Sequence, residues 1–337
     1  MGAVSKLDDS RHVTTMKIRY SFKDWIMDTF SEDTYKSLYS GCRLCPRDCG
    51  KDRKDSFGVC LEPDRLFIAR AALHMWEEPC ISGERGSGAV FFSGCPLKCV
   101  FCQNHDISTS KVGKEISIER LIQIFFELKE KGANNINLVT PTHYIPHIAI
   151  AGLIAKEKGL NIPFVYNTSG YEKPESLDLL KDVVSVFLPD FKYLKKETAS
   201  KYSKAPDYPD VAKKALEKMV SMVGAPVFDK DTGLIKSGVI VRVLVLPEHT
   251  NEAIDIIKYL YETYKDDIYI SIMSQYTPIP SILPKDKEYD SLRRKITKRE
   301  YDKVINAALD LGIKNAFFQE GDVCKESFIP AFDYEGV

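Results

Sequence analysis

Gly94-Cys95-Pro96-Leu97-Lys98-Cys99-Val100-Phe101-Cys102-Gln103-Asn104 is the stretch on which the reading of this chain turns. It follows the apolar run Ala89 to Phe92, so a strand feeds a loop carrying three thiols at offsets of four and then three residues. Gly94 opens the loop and Pro96 stiffens it. A loop of this size can set three sulfurs around one face of an iron-sulfur cube, whereas disulfides would use at most two of them. One iron is then left without a protein ligand, an open position of the kind that catalytic zinc sites keep for a water or substrate. The alternatives are zinc or three unrelated buried thiols, but a structural zinc takes four protein ligands and this loop offers three.

A second group of thiols lies upstream, in Cys42-Arg43-Leu44-Cys45-Pro46-Arg47-Asp48-Cys49 and, after Phe57-Gly58-Val59, Cys60. Intervals of two, three and ten residues suit a complete metal site, with Gly58 allowing the last thiol to close it. A second iron-sulfur cluster and structural zinc both accept four thiolates, and both readings stand. Seven of the nine cysteines fall in these two groups, which in a chain of 337 residues points to metal rather than to disulfide staples. Cys80 and His74 read as spare ligands, pocket residues or simply buried side chains.

Formal net charge is −1, so no global field draws the chain to nucleic acid or membrane. No run approaches the roughly 20 apolar residues of a membrane helix. The start, Met1-Gly2-Ala3-Val4-Ser5-Lys6, lacks the apolar centre of a signal peptide, which gives a cytoplasmic expectation. Residues 1–40 read as an arm with a short helix, interrupted by Tyr20, Phe22, Trp25 and Phe30.

Beyond the three-cysteine loop, strand-like and helical patterns alternate. Apolar runs occur at Ala89 to Ser93, Ile136 to Thr140, Phe164 to Asn167, Val183 to Leu188, Val239 to Leu246, Ile268 to Met273 and Ala316 to Phe318. Between them, Ser117 to Lys131 places Ile118, Leu121, Ile122, Phe125 and Leu128 on one face, and a helix from Thr297 carries a capping box with Glu300. Phe228 to Ile235 reads as a hairpin-like insertion. Near-continuous apolar strands between helices imply a parallel sheet covered on both faces. Polar residues gather where these runs end, as in Thr140-Pro141-Thr142-His143, Asn167-Thr168-Ser169-Gly170, Pro189-Asp190-Phe191-Lys192, Ser274-Gln275-Tyr276 and Gln319-Glu320-Gly321. Such ends, one after another, describe the mouth of a barrel. The expected fold is α/β, a partial (β/α)6 TIM-like barrel with a candidate seventh strand, over residues 86–325. An arm and four-cysteine module at 1–85 precede it, and a tail at 326–337 follows.

The cysteine loop, with an aromatic just before its last thiol, resembles the radical S-adenosylmethionine (SAM) signature. From about Tyr39 to Gln319 the chain is most similar to the pyruvate formate-lyase activating enzyme-like branch, which activates glycyl-radical enzymes. The similarity includes Trp76-Glu77-Glu78-Pro79-Cys80, Phe91-Phe92-Ser93-Gly94-Cys95, Leu188-Pro189-Asp190-Phe191-Lys192 and Met273-Ser274-Gln275-Tyr276. The resemblance implies that Cys95, Cys99 and Cys102 hold a 4Fe-4S cluster whose unique iron binds SAM, with Phe101 beside the adenine. An electron then cleaves SAM to a 5'-deoxyadenosyl radical that abstracts hydrogen. It also implies that Asn167, Thr168, Asp190 and Lys192 hold a monovalent cation and the SAM carboxylate, with Arg242 nearby, and that Thr140 and Thr142 seat the SAM amino group. Implied partners are a glycyl-radical enzyme and an electron donor such as flavodoxin or ferredoxin.

The chain departs from that branch at several points. Asn167 replaces an Asp, Thr140-Pro141-Thr142 replaces Gly-Gly-Glu, Tyr276-Thr277-Pro278 stands where a histidine is expected, and the Cys42 to Cys60 module is additional. Two other functions therefore stand beside the activase: a radical SAM enzyme acting directly on a small molecule, peptide or RNA with an auxiliary cluster, and a zinc-binding module without catalysis.

Overall fold

The computed structural model describes residues 32–319 and 330–337, with side chains from Tyr35 onward. The aromatic arm before residue 32, together with Glu320, Gly321 and Cys324, lies outside the described residues. Among the described residues ten strands form one sheet: β1 (Leu66–His74), β2 (Ser87–Phe92), β3 (Lys114–Ile116), β4 (Ile136–Val139), β5 (Phe164–Thr168), β6 (Val186–Pro189), β7 (Val227–Phe228), β8 (Ile235–Leu244), β9 (Tyr269–Met273) and β10 (Ala316–Phe318). The order is β10-β9-β8-β6-β5-β4-β2-β1-β3, with β7 paired to β8.

From β2 through β10 the main path is parallel throughout, and its members are the seven apolar runs of the sequence. The physical cause is burial on both faces: every residue of β2, β4 and β6 is buried. Helices cross over between successive parallel strands, among them Ile118–Glu130, Ile145–Glu157, Tyr208–Val223 and Thr250–Tyr264. Ser117 caps the first by accepting the Arg120 amide, and Thr297 with Glu300 forms a reciprocal capping box on the helix Lys298–Asp310. The α/β fold with a mostly parallel sheet is thus as expected, with the seventh strand in place on β9. The insertion is a hairpin, β7 against β8.

The strand β1 was not anticipated. It pairs antiparallel with β2 on one side and β3 on the other, extending the sheet past the first barrel strand. Its sequence, LFIARAALH, contains five alanine or polar residues of weak strand propensity, and its pairing comes from tertiary contact rather than from local preference. Residues 330–337 clasp β1: the Tyr334 amide donates to Ala69 O (3.1 Å), Ala71 donates to Glu335 O (2.8 Å), and Arg70 pairs with Asp333 (2.6 Å).

Candidate active site

The loop after β2 is built by backbone geometry that its sequence demands. Gly94 has φ +79°, and a Cβ there would meet the Glu62 side chain at 2.4 Å and the Cys60 carbonyl at 2.7 Å. The Cys95 amide donates to that same carbonyl (3.2 Å) and the Cys102 amide to Cys99 O (3.2 Å). Leu97 is fully buried and pins the loop to the core. Arg47, from between two cysteines of the upstream module, donates to the carbonyls of Pro96 (2.8 Å), Leu97 (3.0 Å), Ser203 (2.8 Å) and Lys204 (2.5 Å). The last two end the helix Lys196–Ser203, where a cation complements the exposed carbonyls.

Cys95, Cys99 and Cys102 all face a cavity of about 380 Å³. Burial, aided by the neighbouring thiols, pushes Cys95 up to about 12 and Cys102 up to about 11. Such thiols hold their protons until a metal displaces them, because a coordinating thiol is deprotonated outright. The Ser203 hydroxyl lies 3.1 Å from Cys99 Sγ and 2.7 Å from the Tyr193 hydroxyl. Among the described residues, no three His, Cys, Asp or Glu side chains converge as ligands of one ion. The thiolates of a cube bind different irons and stand apart, so the three-thiol donor set on one loop fits a cluster.

Strand ends supply the opposite wall. Thr140 after β4, Asn167 and Thr168 on β5, and Asp190 and Lys192 after β6 all line the same cavity. Lys192 Nζ lies 2.5 Å from Asp190 Oδ2, and the nearby Asp190 carboxylate holds the half-buried ammonium charged against its desolvation. The ion pair is therefore part of the cavity wall and not a surface pair. Gly170 makes this possible: at φ +76° a Cβ would sit 2.3 Å from Asp190 O, so only glycine lets the two strand ends approach. Phe101 is buried edge-on between Tyr202 and Tyr276, at ring-centroid distances of 6.0 and 6.1 Å. His74 lines the cavity too, whereas Cys80 packs with Val165, Val186, Leu188, Ile235 and Ile240.

Two expectations change here. Thr142 is carried off the cavity wall by the 3₁₀ turn Thr142–Tyr144, and its hydroxyl donates to Glu172 Oε1 at 2.6 Å. Arg242 does face the cavity, but its guanidinium is already engaged: Nε donates to Glu78 Oε1 (2.7 Å), Nη2 to Glu78 Oε2 (2.6 Å), and Nη2 also to Glu77. Asn137 donates to the remaining Glu77 oxygen (2.8 Å). A lone charge inside an apolar strand requires a partner, and that was the available signal for this cluster. A second group missed from sequence is amide-based: Gln103 Nε2 donates to Gln275 O, and Gln319 Nε2 to Gln275 Oε1, both at 2.9 Å, tying the cysteine loop to the ends of β9 and β10.

Glu172, wholly buried, accepts from both Thr142 and Thr168, and its Oε2 has no partner among the described residues. Burial lifts its carboxyl to about 7 from an ordinary 4.5. The folded chain therefore binds a proton that the unfolded chain has lost, and this stabilising contribution is complete below pH 4.5 and declines as pH rises to about 7. Wild type should lose about 3 kcal/mol across that window through this group. Glu172→Gln should flatten the decline, read as urea midpoints at pH 5 and pH 8. Parallel profiles for the two proteins would refute this account of Glu172.

Upstream, Cys42, Cys45 and Cys60 are buried and Cys49 is half-buried. The Cys42 amide donates to Lys51 O (2.8 Å) and Gly50 donates to Cys42 O (3.0 Å), folding the segment into a tight loop.

A sequence model of the radical SAM superfamily matches residues 89–260, from β2 through most of the helix after β8. The chain belongs to the radical SAM superfamily. It is 30% identical over 283 residues to the uncharacterized protein MJ0674 of Methanocaldococcus jannaschii, covering 81% of this chain and 75% of that protein. Among solved structures it is similar to SuiB of Streptococcus suis, at 16% identity and TM-score 0.45 over 68% of this chain. The SuiB structure with S-adenosylmethionine gives 15% identity and TM-score 0.46 over 67% of this chain. The chain spans about half of SuiB's length, 47 to 48%. Membership in the radical SAM superfamily implies a 4Fe-4S cluster and SAM; the superfamily model does not single out the activase branch. No helix among the described residues is long and apolar enough to cross a membrane.

Proposed function

We propose that this radical SAM enzyme holds its 4Fe-4S cluster on Cys95, Cys99 and Cys102 and binds SAM in the cavity they share with Asp190 and Lys192. The observation that carries the reading is the convergence of one three-thiol loop and one half-buried ion pair on a single 380 Å³ cavity. When bound, the cluster supplies the electron that cleaves SAM, and the resulting carbon radical abstracts hydrogen from the substrate.

The protein's own contribution is placement. The Lys192 ammonium is suited to the carboxylate of a zwitterionic ligand, and the Asp190 carboxylate to its cationic group or to a bound monovalent cation. Asn167 and Thr168 supply neutral oxygens beside them. Phe101 closes the wall with apolar surface and helps keep water from the reacting centre. Arg242, Glu77 and Glu78 rigidify the far wall, and their two carboxylates against one guanidinium leave it net negative.

The substrate reading supported by motif resemblance is a glycine of a partner glycyl-radical enzyme, with flavodoxin or ferredoxin as donor. The additional Cys42 to Cys60 module favours a second reading, direct action on a small molecule, peptide or RNA. Anaerobic reconstitution with iron and sulfide, then SAM and dithionite, should release 5'-deoxyadenosine detectable by mass spectrometry. Intact SAM under those conditions would overturn the assignment. An organic radical signal on an added glycyl-radical enzyme separates the activase from direct modification.

A further inference from the structure

The cysteine module encloses a cation that no carboxylate reaches at ion-pair distance among the described residues. Arg53 is 1% exposed, the largest wholly buried side chain among the described residues. Its Nε donates to Glu62 O (3.1 Å) and its Nη1 to His143 O (2.7 Å), and the guanidinium lies over the Tyr39 ring at 4.6 Å. The Nη1 atom is also 3.9 Å from Cys42 Sγ. Among the described residues, no carboxylate lies within ion-pair distance of it. Glu62, buried nearby, turns one oxygen to the Tyr144 hydroxyl (2.9 Å) and leaves the other without a partner.

Backbone carbonyls satisfy the guanidinium's hydrogen bonds but not its charge. A buried ion without a counter-charge costs several kcal/mol, so a buried anion is the expected neighbour. Beside it stand the thiols of Cys42, whose sulfur Nη1 approaches, and of Cys60, whose sulfur and Arg53 Cδ flank the same point at Gly58. Neutral thiols carry no charge, whereas four thiolates around a 4Fe-4S cube leave a net negative centre.

We propose that Cys42, Cys45, Cys49 and Cys60 ligate a second iron-sulfur cluster of net negative charge, with Arg53 as its buried counter-cation. This goes beyond the SAM site and does not depend on it. The centre is also wired to the SAM loop, since the carbonyl of its ligand Cys60 accepts the amide of Cys95.

The test uses the full chain purified without oxygen. Wild type should carry about eight irons. Replacing Cys95, Cys99 and Cys102 by serine should remove only the first centre, leaving about four irons. Arg53→Met should release this metal to a chelator about tenfold faster, with Arg53→Lys closer to wild type. Four irons in wild type, with or without zinc, or a folded triple variant without iron, would overturn the proposal; unchanged release from Arg53→Met would overturn the role of Arg53. Because metal content is the readout, failure of SAM cleavage leaves this result interpretable.

Discussion

Cys99→Ala abolishes 5'-deoxyadenosine formation, a fall on the order of a thousandfold or more, while the barrel stays folded. Cys99 is one of three thiols on a loop held by backbone bonds and by Arg47, and among the described residues no cysteine beyond these three lines the cavity to replace it. Its side chain is half-buried at the cavity edge, with a hydrogen bond from Ser203 as its one polar contact of note, so truncation removes a ligand without opening the core. Because three ligands act as a unit, a Cys99/Cys102 double variant should be no worse than the single. Product release under dithionite, with iron content alongside, checks the expectation. Equal cleavage by wild type and variant would sink the cluster assignment.

Arg242→Met costs roughly 3–5 kcal/mol of stability. The side chains of Glu77 and Glu78 are 7% and 5% exposed, and both depend on one guanidinium that is itself 11% exposed. Removing it strands two buried carboxylates, a larger loss than replacing the whole group by apolar residues. Arg242 also holds the Glu78 carboxyl below its ordinary range against strong desolvation. A depressed acid contributes stability that is present above its unfolded value and lost as pH falls through the folded one. The deficit of Arg242→Met should therefore be large at pH 7 and shrink in acid, as measured by urea unfolding at each pH. A pH-independent deficit would show that the cluster does not carry it.

Much of this molecule was legible because burial on both faces writes itself into sequence. The seven parallel strands are apolar nearly end to end, and their chain order fixes a parallel sheet through crossovers. The three-thiol loop was legible for another reason: its chemistry is local, set by spacing along eleven consecutive residues. What stayed hidden depends on distant partners. The antiparallel strand β1 owes its place to β2 and to the chain around Tyr334, and its alanines announce neither. Arg242 was visible as a charge in an apolar run, but Glu77 and Glu78 lie more than 160 residues away. Thr142 was expected on the cavity and turned from it, because the strand β4 ends before the 3₁₀ turn and Glu172 offers it a buried acceptor.

The four carbonyls gripped by Arg47 mean that the radical loop is not a portable cassette. Grafted into another barrel without the upstream cysteines and their arginine, the loop would lose the donor that aligns its turn with the end of the helix behind Cys99. A change at Arg47 is, by the same geometry, a change in the support of the three-cysteine loop.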